Sequence, residues 1–68
     1  MITEKVGTRI KEIRTCQGMS QEKLAHRAQL DRTYLTGVEQ GKRNLSIKSL
    51  EKILIALEVS FEDFFKGM

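Results

Sequence analysis

Proline is absent from this 68-residue chain, which favours helices and leaves glycine to end them. Signals for β-strands are weak, because there is no sustained alternation of apolar and polar residues and no Asn-Gly or Asp-Gly hairpin turn. The longest uninterrupted apolar run, residues 53–57, is far too short to span a membrane. We therefore expect one all-α domain over residues 1–68 and no membrane partner.

Cysteine and histidine are almost absent as well. Cys16 is the only cysteine, so no disulfide can form within the chain, and the lack of a signal-peptide pattern predicts a cytoplasmic location. Cys16 and His26 are too few for a zinc site, which normally has three or four protein ligands. We find no nucleophile–base pair and no phosphate-binding loop. The sequence therefore predicts no enzyme, no metal and no cofactor.

Acidic charge is scarce in most of the chain. Residues 1–52 carry eleven Lys/Arg against six Asp/Glu, a balance of +5, whereas residues 53–68 carry one against three, a balance of −2. A basic body with an acidic end suits an anionic partner that binds away from the C-terminus.

Apolar spacing and capping residues predict five helices. The first covers about residues 3–17, the second 21–28 and the third 32–40, and the fourth and fifth follow Ser46 and Ser60. Ser20 and Asp31 are the predicted N-caps of the second and third helices, and Gly18 and Gly41 are predicted to end the first and third. The fourth helix is predicted to bury a wide apolar stripe of Ile47, Leu50, Ile53, Leu54 and Leu57.

The third helix separates its side chains by chemistry. At about 100° per residue, polar groups gather in one arc, while Leu35 and Val38 lie on the other side. Arginine can pair with guanine, glutamine with adenine, and threonine can donate, accept or touch a thymine methyl. The predicted polar arc comprises Arg32, Thr33, Thr36 and Gln40. Gly37 borders this arc and is expected to let the helix lie close to a surface.

The region 19–41 resembles the lambda-repressor-like helix-turn-helix family of the Xre/Cro type. The resemblance is carried by the spacing of Gln21, Leu24, Ala25, Ala28, Leu30, Leu35, Val38, Glu39 and Gly41. It implies a compact five-helix DNA-binding domain, with the helix-turn-helix at about residues 20–41 formed by helices 2 and 3. The family's turn often carries glycine where Gln29 stands, so a left-handed conformation is predicted for Gln29.

A narrower likeness exists to the controller proteins of restriction–modification systems. It rests on residues 30–44, on the overall length, and on Leu57-Glu58-Val59-Ser60 followed by aromatics. It implies a dimeric transcription regulator that binds double-stranded operators, at its own gene and the nuclease gene. The resemblance implies base contacts by Arg32, Thr33, Thr36 and Arg43. It implies DNA backbone contacts by Gln21, Tyr34, Asn44, Ser46, Lys48 and Arg14.

A homodimer is expected on physical grounds too, because one recognition helix reads only a few base pairs. Ile55 lies off the main stripe of helix 4, and helix 5 carries more aromatic bulk than a small core needs. We therefore predict a dimerisation region at about residues 45–68, with Ile55, Phe61 and Phe64 at the interface, and an inverted-repeat operator. RNA polymerase is a further candidate partner.

Several alternatives stand beside this interpretation. An antitoxin or another protein-interaction module could share the same fold. Lys42 and Arg43 could be merely solvated, although a loop directly after a recognition helix favours DNA contact. The three phenylalanines cluster in one acidic terminal helix, which favours packing over base stacking. Glu39 has the wrong sign for phosphate and is predicted to be structural, pairing with a basic neighbour or capping backbone donors.

Overall fold

The structure is a computed structural model that describes residues 1–68. It contains five helices and no strand: α1 (Ile2–Cys16), α2 (Gln21–Ala28), α3 (Arg32–Glu39), α4 (Ile47–Leu57) and α5 (Phe61–Phe65). The bounds of α1, α2 and α3 lie within one residue of the predicted ones, and α4 and α5 begin directly after the predicted caps Ser46 and Ser60. The all-α five-helix prediction is confirmed.

In four of the helices, the N-cap side chain accepts a hydrogen bond from a backbone N–H group of the first turn that has no partner within the helix, as the sequence predicts. Ser20 accepts from the backbone N–H of Lys23, and Asp31 accepts from those of Thr33 and Tyr34. Ser46 and Ser60 cap α4 and α5 in the same way. Each cap of this type contributes about 0.5–2 kcal/mol, so the start of each of these helices is fixed locally.

Left-handed residues terminate the helices. Gly18 and Gly41 have positive φ and follow α1 and α3, and Gln29 has φ of 57° as the C-cap of α2. The prediction for Gln29 is therefore confirmed. Glu58 ends α4 with φ of 60°, a second non-glycine residue in this conformation that the sequence did not reveal.

One hydrophobic core joins the helices, with α2 packed on α3 and α4, α1 on α3, and α5 on α4. Its members are Val6, Ile10, Met19, Leu24, Ala25, Ala28, Leu35, Val38, Leu50, Ile53, Leu54, Leu57 and Phe64. Ile47 was predicted to belong to the buried stripe of α4, but it is exposed. It is the first residue of α4, ahead of the turn that meets the core.

Gly7 determines how closely α1 approaches α3. The glycine is buried, and a Cβ atom at this position would overlap the carbonyl oxygen of Val38. A larger residue would therefore push α1 away from the C-terminal end of α3. That end is also where Glu39 enters the interior.

Candidate nucleic-acid interface

The N-terminal end of α3 carries the exposed polar residues Arg32 and Thr33. Arg32 has no carboxylate partner in the chain, because the only ion pairs are Met1–Glu4 and Arg14–Glu39. Leu35 and Val38, on the opposite side of α3, are fully buried. The structure therefore presents a guanidinium and a hydroxyl at the end of the helix that enters the groove in helix-turn-helix proteins.

A buried ion pair anchors the other end of α3. Arg14 Nε donates to Glu39 Oε2 at 2.8 Å and Arg14 Nη2 donates to Glu39 Oε1 at 3.0 Å. Arg14 Nη1 donates to the carbonyl oxygen of Met19 at 2.7 Å. Planar pairing of this kind is strong and geometrically specific. The structural role predicted for Glu39, pairing with a basic neighbour, is confirmed.

The same pair corrects the prediction for Arg14. Its side chain is only 9% exposed and its guanidinium is engaged inside the molecule, so it is not available to a DNA phosphate. The spacing Val6, Ile10, Arg14 was the available signal, because a step of four residues keeps all three on one face of α1.

Hydrogen bonds continue from the ion pair to the recognition helix. Gln21 Nε2 donates to Glu39 Oε1 at 2.9 Å, and the Thr36 hydroxyl donates to Gln21 Oε1 at 3.1 Å. Because a carboxylate only accepts, Glu39 fixes the orientation of the Gln21 amide, and the amide oxygen then requires Thr36 to be the donor. Thr36 retains acceptor lone pairs, and Gln21 retains one N–H at the N-terminus of α2.

Arg43 lies across α3 rather than projecting away from it. Its guanidinium carbon is 5.1 Å from the centroid of the Tyr34 ring. Its aliphatic stem covers Gly37, where an added Cβ would be 2.5 Å from Arg43 Cγ. The close approach expected at Gly37 is therefore occupied by an arginine of the same chain.

The remaining predicted backbone-contact residues follow α3 in sequence. Asn44 Oδ1 accepts from the Thr3 hydroxyl at 3.3 Å, which links the loop to α1. The Ser46 hydroxyl accepts the backbone N–H of Ser49 and donates to its hydroxyl. Lys48 is exposed in the first turn of α4. These residues lie on the surface, and phosphate contact by them stays a prediction.

Two of the three residues predicted for the subunit interface are exposed. Ile55 is 70% exposed and Phe61 is 41% exposed, whereas Phe64 is 0% exposed. Phe64 is therefore a core residue and cannot be an interface residue, because it fills the space between α5 and the other helices. The sequence missed Phe65, which is 38% exposed and stands edge-on to Phe64 with the ring centroids 5.0 Å apart.

Arg9 fastens α5 to α1, a role that the sequence did not indicate. Arg9 Nε donates to the carbonyl oxygen of Phe64 at 3.1 Å, and Nη2 donates to that of Asp63 at 3.3 Å. A cation at the C-terminal end of a helix satisfies orphan carbonyls and complements the helix dipole.

Residues that could build a different kind of site are dispersed. No group of three or more His, Cys, Asp or Glu side chains is placed to hold a metal ion, and Cys16 is exposed as a free thiol. None of the five helices combines the length and apolarity that crossing a bilayer requires.

Comparison with known proteins supports the assignment of the α2–α3 pair. The family described as "Helix-turn-helix" matches residues 10–64. The chain belongs to this family. This helix-turn-helix protein is 45% identical over 58 residues to the control protein C.BamHI of Bacillus amyloliquefaciens, covering 84% of this chain and 72% of the relative. It is 39% identical over 63 residues to the control protein C.MunI of a Mycoplasma species, covering 91% and 85%.

Solved structures agree with the sequence relatives. The restriction–modification controller protein C.Esp1396I, crystallised as a tetramer in complex with its natural 35 base-pair operator, superimposes with a TM-score of 0.91. The two proteins are 52% identical, and the match covers 96% of this chain and 86% of the other. The resemblance of this helix-turn-helix protein to controller proteins is therefore confirmed in both sequence and structure.

Proposed function

We propose that this protein is a sequence-specific, dimeric DNA-binding transcription regulator that acts as the controller of a restriction–modification system. The observation that carries the proposal is the end of α3, where Arg32 and Thr33 are exposed on a helix whose other end is anchored by Arg14 and Glu39. A rigid helix with free donors at its N-terminus is what direct readout in the major groove requires.

In this proposal the helix-turn-helix at about residues 20–41 reads the operator. Arg32, Thr33 and Arg43 face base edges, and Thr36 does so only as an acceptor or through its methyl group, since its proton is donated to Gln21. The DNA backbone is contacted by the exposed residues Asn44, Ser46 and Lys48, by the half-buried Tyr34 and by the free N–H of Gln21. A regulator with this target acts in the cytoplasm, on the operators of its own gene and the nuclease gene.

Two copies are required to give the affinity and specificity of a regulator. We infer that residues of about 45–68 join the two protomers, with Ile55 and Phe61 at the contact, because they are apolar and exposed on α4 and α5. A two-fold axis there would place two α3 helices about 34 Å apart, one turn of DNA. Contact with RNA polymerase belongs to the same proposal, and in vitro transcription with and without the protein tests it.

Binding of the full-length protein to the DNA upstream of its own gene tests the proposal, with footprinting to locate the operator. Arg32→Ala should weaken binding to that operator by about 1–3 kcal/mol and relax the preference at one base position, because a base contact is lost. Binding to a random duplex of equal length should change much less.

Lys48→Ala is the matched control. A lost phosphate contact should weaken binding to both duplexes alike. The slope of the logarithm of the binding constant against the logarithm of the salt concentration should become smaller by about one ion per protomer. Equal losses on operator and random duplex for Arg32→Ala would show that Arg32 contacts phosphate, and the absence of any protected site would refute the proposed function.

A further inference from the structure

The loop after α3 carries a cation whose position is defined by α3 itself. Arg43 belongs to the segment between α3 and α4, where no helix restrains it, and it is exposed. It lies close to the face of the Tyr34 ring and to the bare Cα of Gly37. The first is a cation–π contact and the second is contact with the aliphatic stem.

These two supporting residues belong to α3, whereas Arg43 belongs to the loop. Tyr34 is half-buried and packs against the hydrophobic core. Gly37 lies within α3, between the fully buried Leu35 and the buried Val38. Arg43 therefore rests on a surface that is fixed by the core, one turn along the same helix from Arg32.

We propose that Tyr34 and Gly37 are positioning residues for Arg43, holding its guanidinium against α3 so that it meets the DNA already ordered. This inference rests on the proposed DNA-binding function and deepens it. An arginine side chain that moves freely in the solvent must lose rotamer freedom when it pairs with a base. A side chain that is already packed against an aromatic ring loses less. Glycine is then needed at position 37 because any larger side chain there would displace Arg43.

The Tyr34 ring and the Tyr34 hydroxyl make different predictions. If Tyr34 acts only through its hydroxyl on a phosphate, then Tyr34→Phe and Tyr34→Leu have equal effects. If the ring supports Arg43, Tyr34→Phe retains the support and Tyr34→Leu removes it.

The first experiment is a double-mutant cycle measured by Kd for the operator and for a random duplex. Relative to Tyr34→Phe, Tyr34→Leu should weaken operator binding by about two- to fivefold, the size of an exposed cation–π contact. In the Arg43→Ala background this difference should disappear. A Lys42→Ala background is the matched control, and there the difference should persist. Equal effects of Phe and Leu, or a difference that survives loss of Arg43, would overturn the role of Tyr34.

The second experiment uses Gly37→Ala. Alanine favours the helix, so the thermal midpoint should not fall, yet the new Cβ must displace Arg43 and operator binding should weaken by at least about twofold. In the Arg43→Ala background, Gly37→Ala should have no effect on binding. A loss that persists there would mean that the methyl group clashes with DNA directly, and the role assigned to Gly37 would be wrong.

A measurement on the free protein separates this inference from the proposed function. The ring current of Tyr34 should shift the NMR signals of the Arg43 side chain upfield. This upfield shift should be retained in Tyr34→Phe and should disappear in Tyr34→Leu. Unshifted Arg43 signals in the original protein would overturn the inference even if DNA binds tightly. If no duplex binds, the proposed function fails, while shifted signals would still show the contact.

Discussion

Single residues in the left-handed conformation bear local strain in this chain. A non-glycine residue at positive φ brings its Cβ close to the following carbonyl, at a cost of about 1–2 kcal/mol. Gln29 is in this conformation at the α2–α3 turn, and its side chain is exposed. Its side chain donates no hydrogen bond that glycine would lose, so only the backbone decides the outcome of substitution.

We therefore expect Gln29→Gly to leave the free energy of unfolding unchanged or to raise it by up to about 1 kcal/mol. Relief of strain in the folded state is offset in part by the larger freedom of glycine in the unfolded chain. Urea denaturation followed by circular dichroism measures the effect. Gly18→Ala is the matched control. Because Gly18 has φ of +68°, this substitution should lower the free energy of unfolding by placing a Cβ atom at positive φ. A loss above about 1 kcal/mol for Gln29→Gly would contradict this account.

At the same scale, sequence reasoning succeeded where a local rule decides the outcome. The helix caps were predicted from short polar residues that bond to N–H groups nearby. The left-handed conformation of Gln29 was predicted from the family resemblance instead, because the family's turn often carries glycine there. Sequence reasoning failed for Arg14 and Phe64, whose environments depend on partners far along the chain. Glu39 is 25 residues from Arg14, and a spacing rule places a residue on a face without saying which neighbour that face meets.

Among the helices, the ion pair of Arg14 with Glu39 joins α1 to the end of α3, and Gln21 brings the start of α2 into the same network. A buried pair contributes little net stability over apolar residues of similar volume, but loss of one partner leaves the other charge buried alone. The relative placement of α1, α2 and α3 therefore depends on both partners being present.

Arg14→Leu should accordingly lower the free energy of unfolding by about 3–5 kcal/mol, because Glu39 is left buried without its cation. The double variant Arg14→Leu/Glu39→Leu should recover part of that loss. Arg27→Leu, at an exposed position of α2, should stay within about 0.5 kcal/mol of the original protein. Chemical denaturation of the four proteins checks the series, and an Arg14→Leu variant as stable as the control would show that the pair is dispensable.

The helical order of the chain was more accessible from sequence than the contacts between helices. The starts of α2 to α5 follow from Ser or Asp N-caps, and the ends of α1 and α3 follow from the glycines Gly18 and Gly41. The close approach of α1 to α3 at Gly7, and the attachment of α5 by Arg9, depend on three-dimensional packing that no periodicity indicates. The exposure of Ile47 shows the same limit, since a residue can lie on the apolar stripe and still precede the part of the helix that meets the core.

For the whole molecule, the arrangement of exposed apolar side chains predicts assembly. Ile55→Glu should convert the protein to a monomer at micromolar concentration, because it would bury two like charges across a two-fold contact. It should leave the fold intact, since Ile55 is exposed on the surface of the protomer. Sedimentation velocity measures the association and circular dichroism the fold.

Ile2→Glu is the control for this prediction, because Ile2 is also exposed and apolar but lies on α1. It should leave the association unchanged. A monomeric variant should also bind one half-site as well as the original protein does, and lose its preference for the full repeat. If the original protein is strictly monomeric and binds a single half-site as tightly as the repeat, the dimeric arrangement is wrong.

The short connections between the helices have a consequence for timing. Connections of three to seven residues join successive helices, and most contacts in the chain link residues fewer than twelve positions apart. Helical domains of this kind fold in microseconds to milliseconds, far faster than a ribosome can add one residue at about 5–20 per second. Folding therefore adds no delay of its own after synthesis. The time before an operator is occupied would then depend on how quickly protomers accumulate and associate. The concentration of the protein would therefore set the timing of regulation.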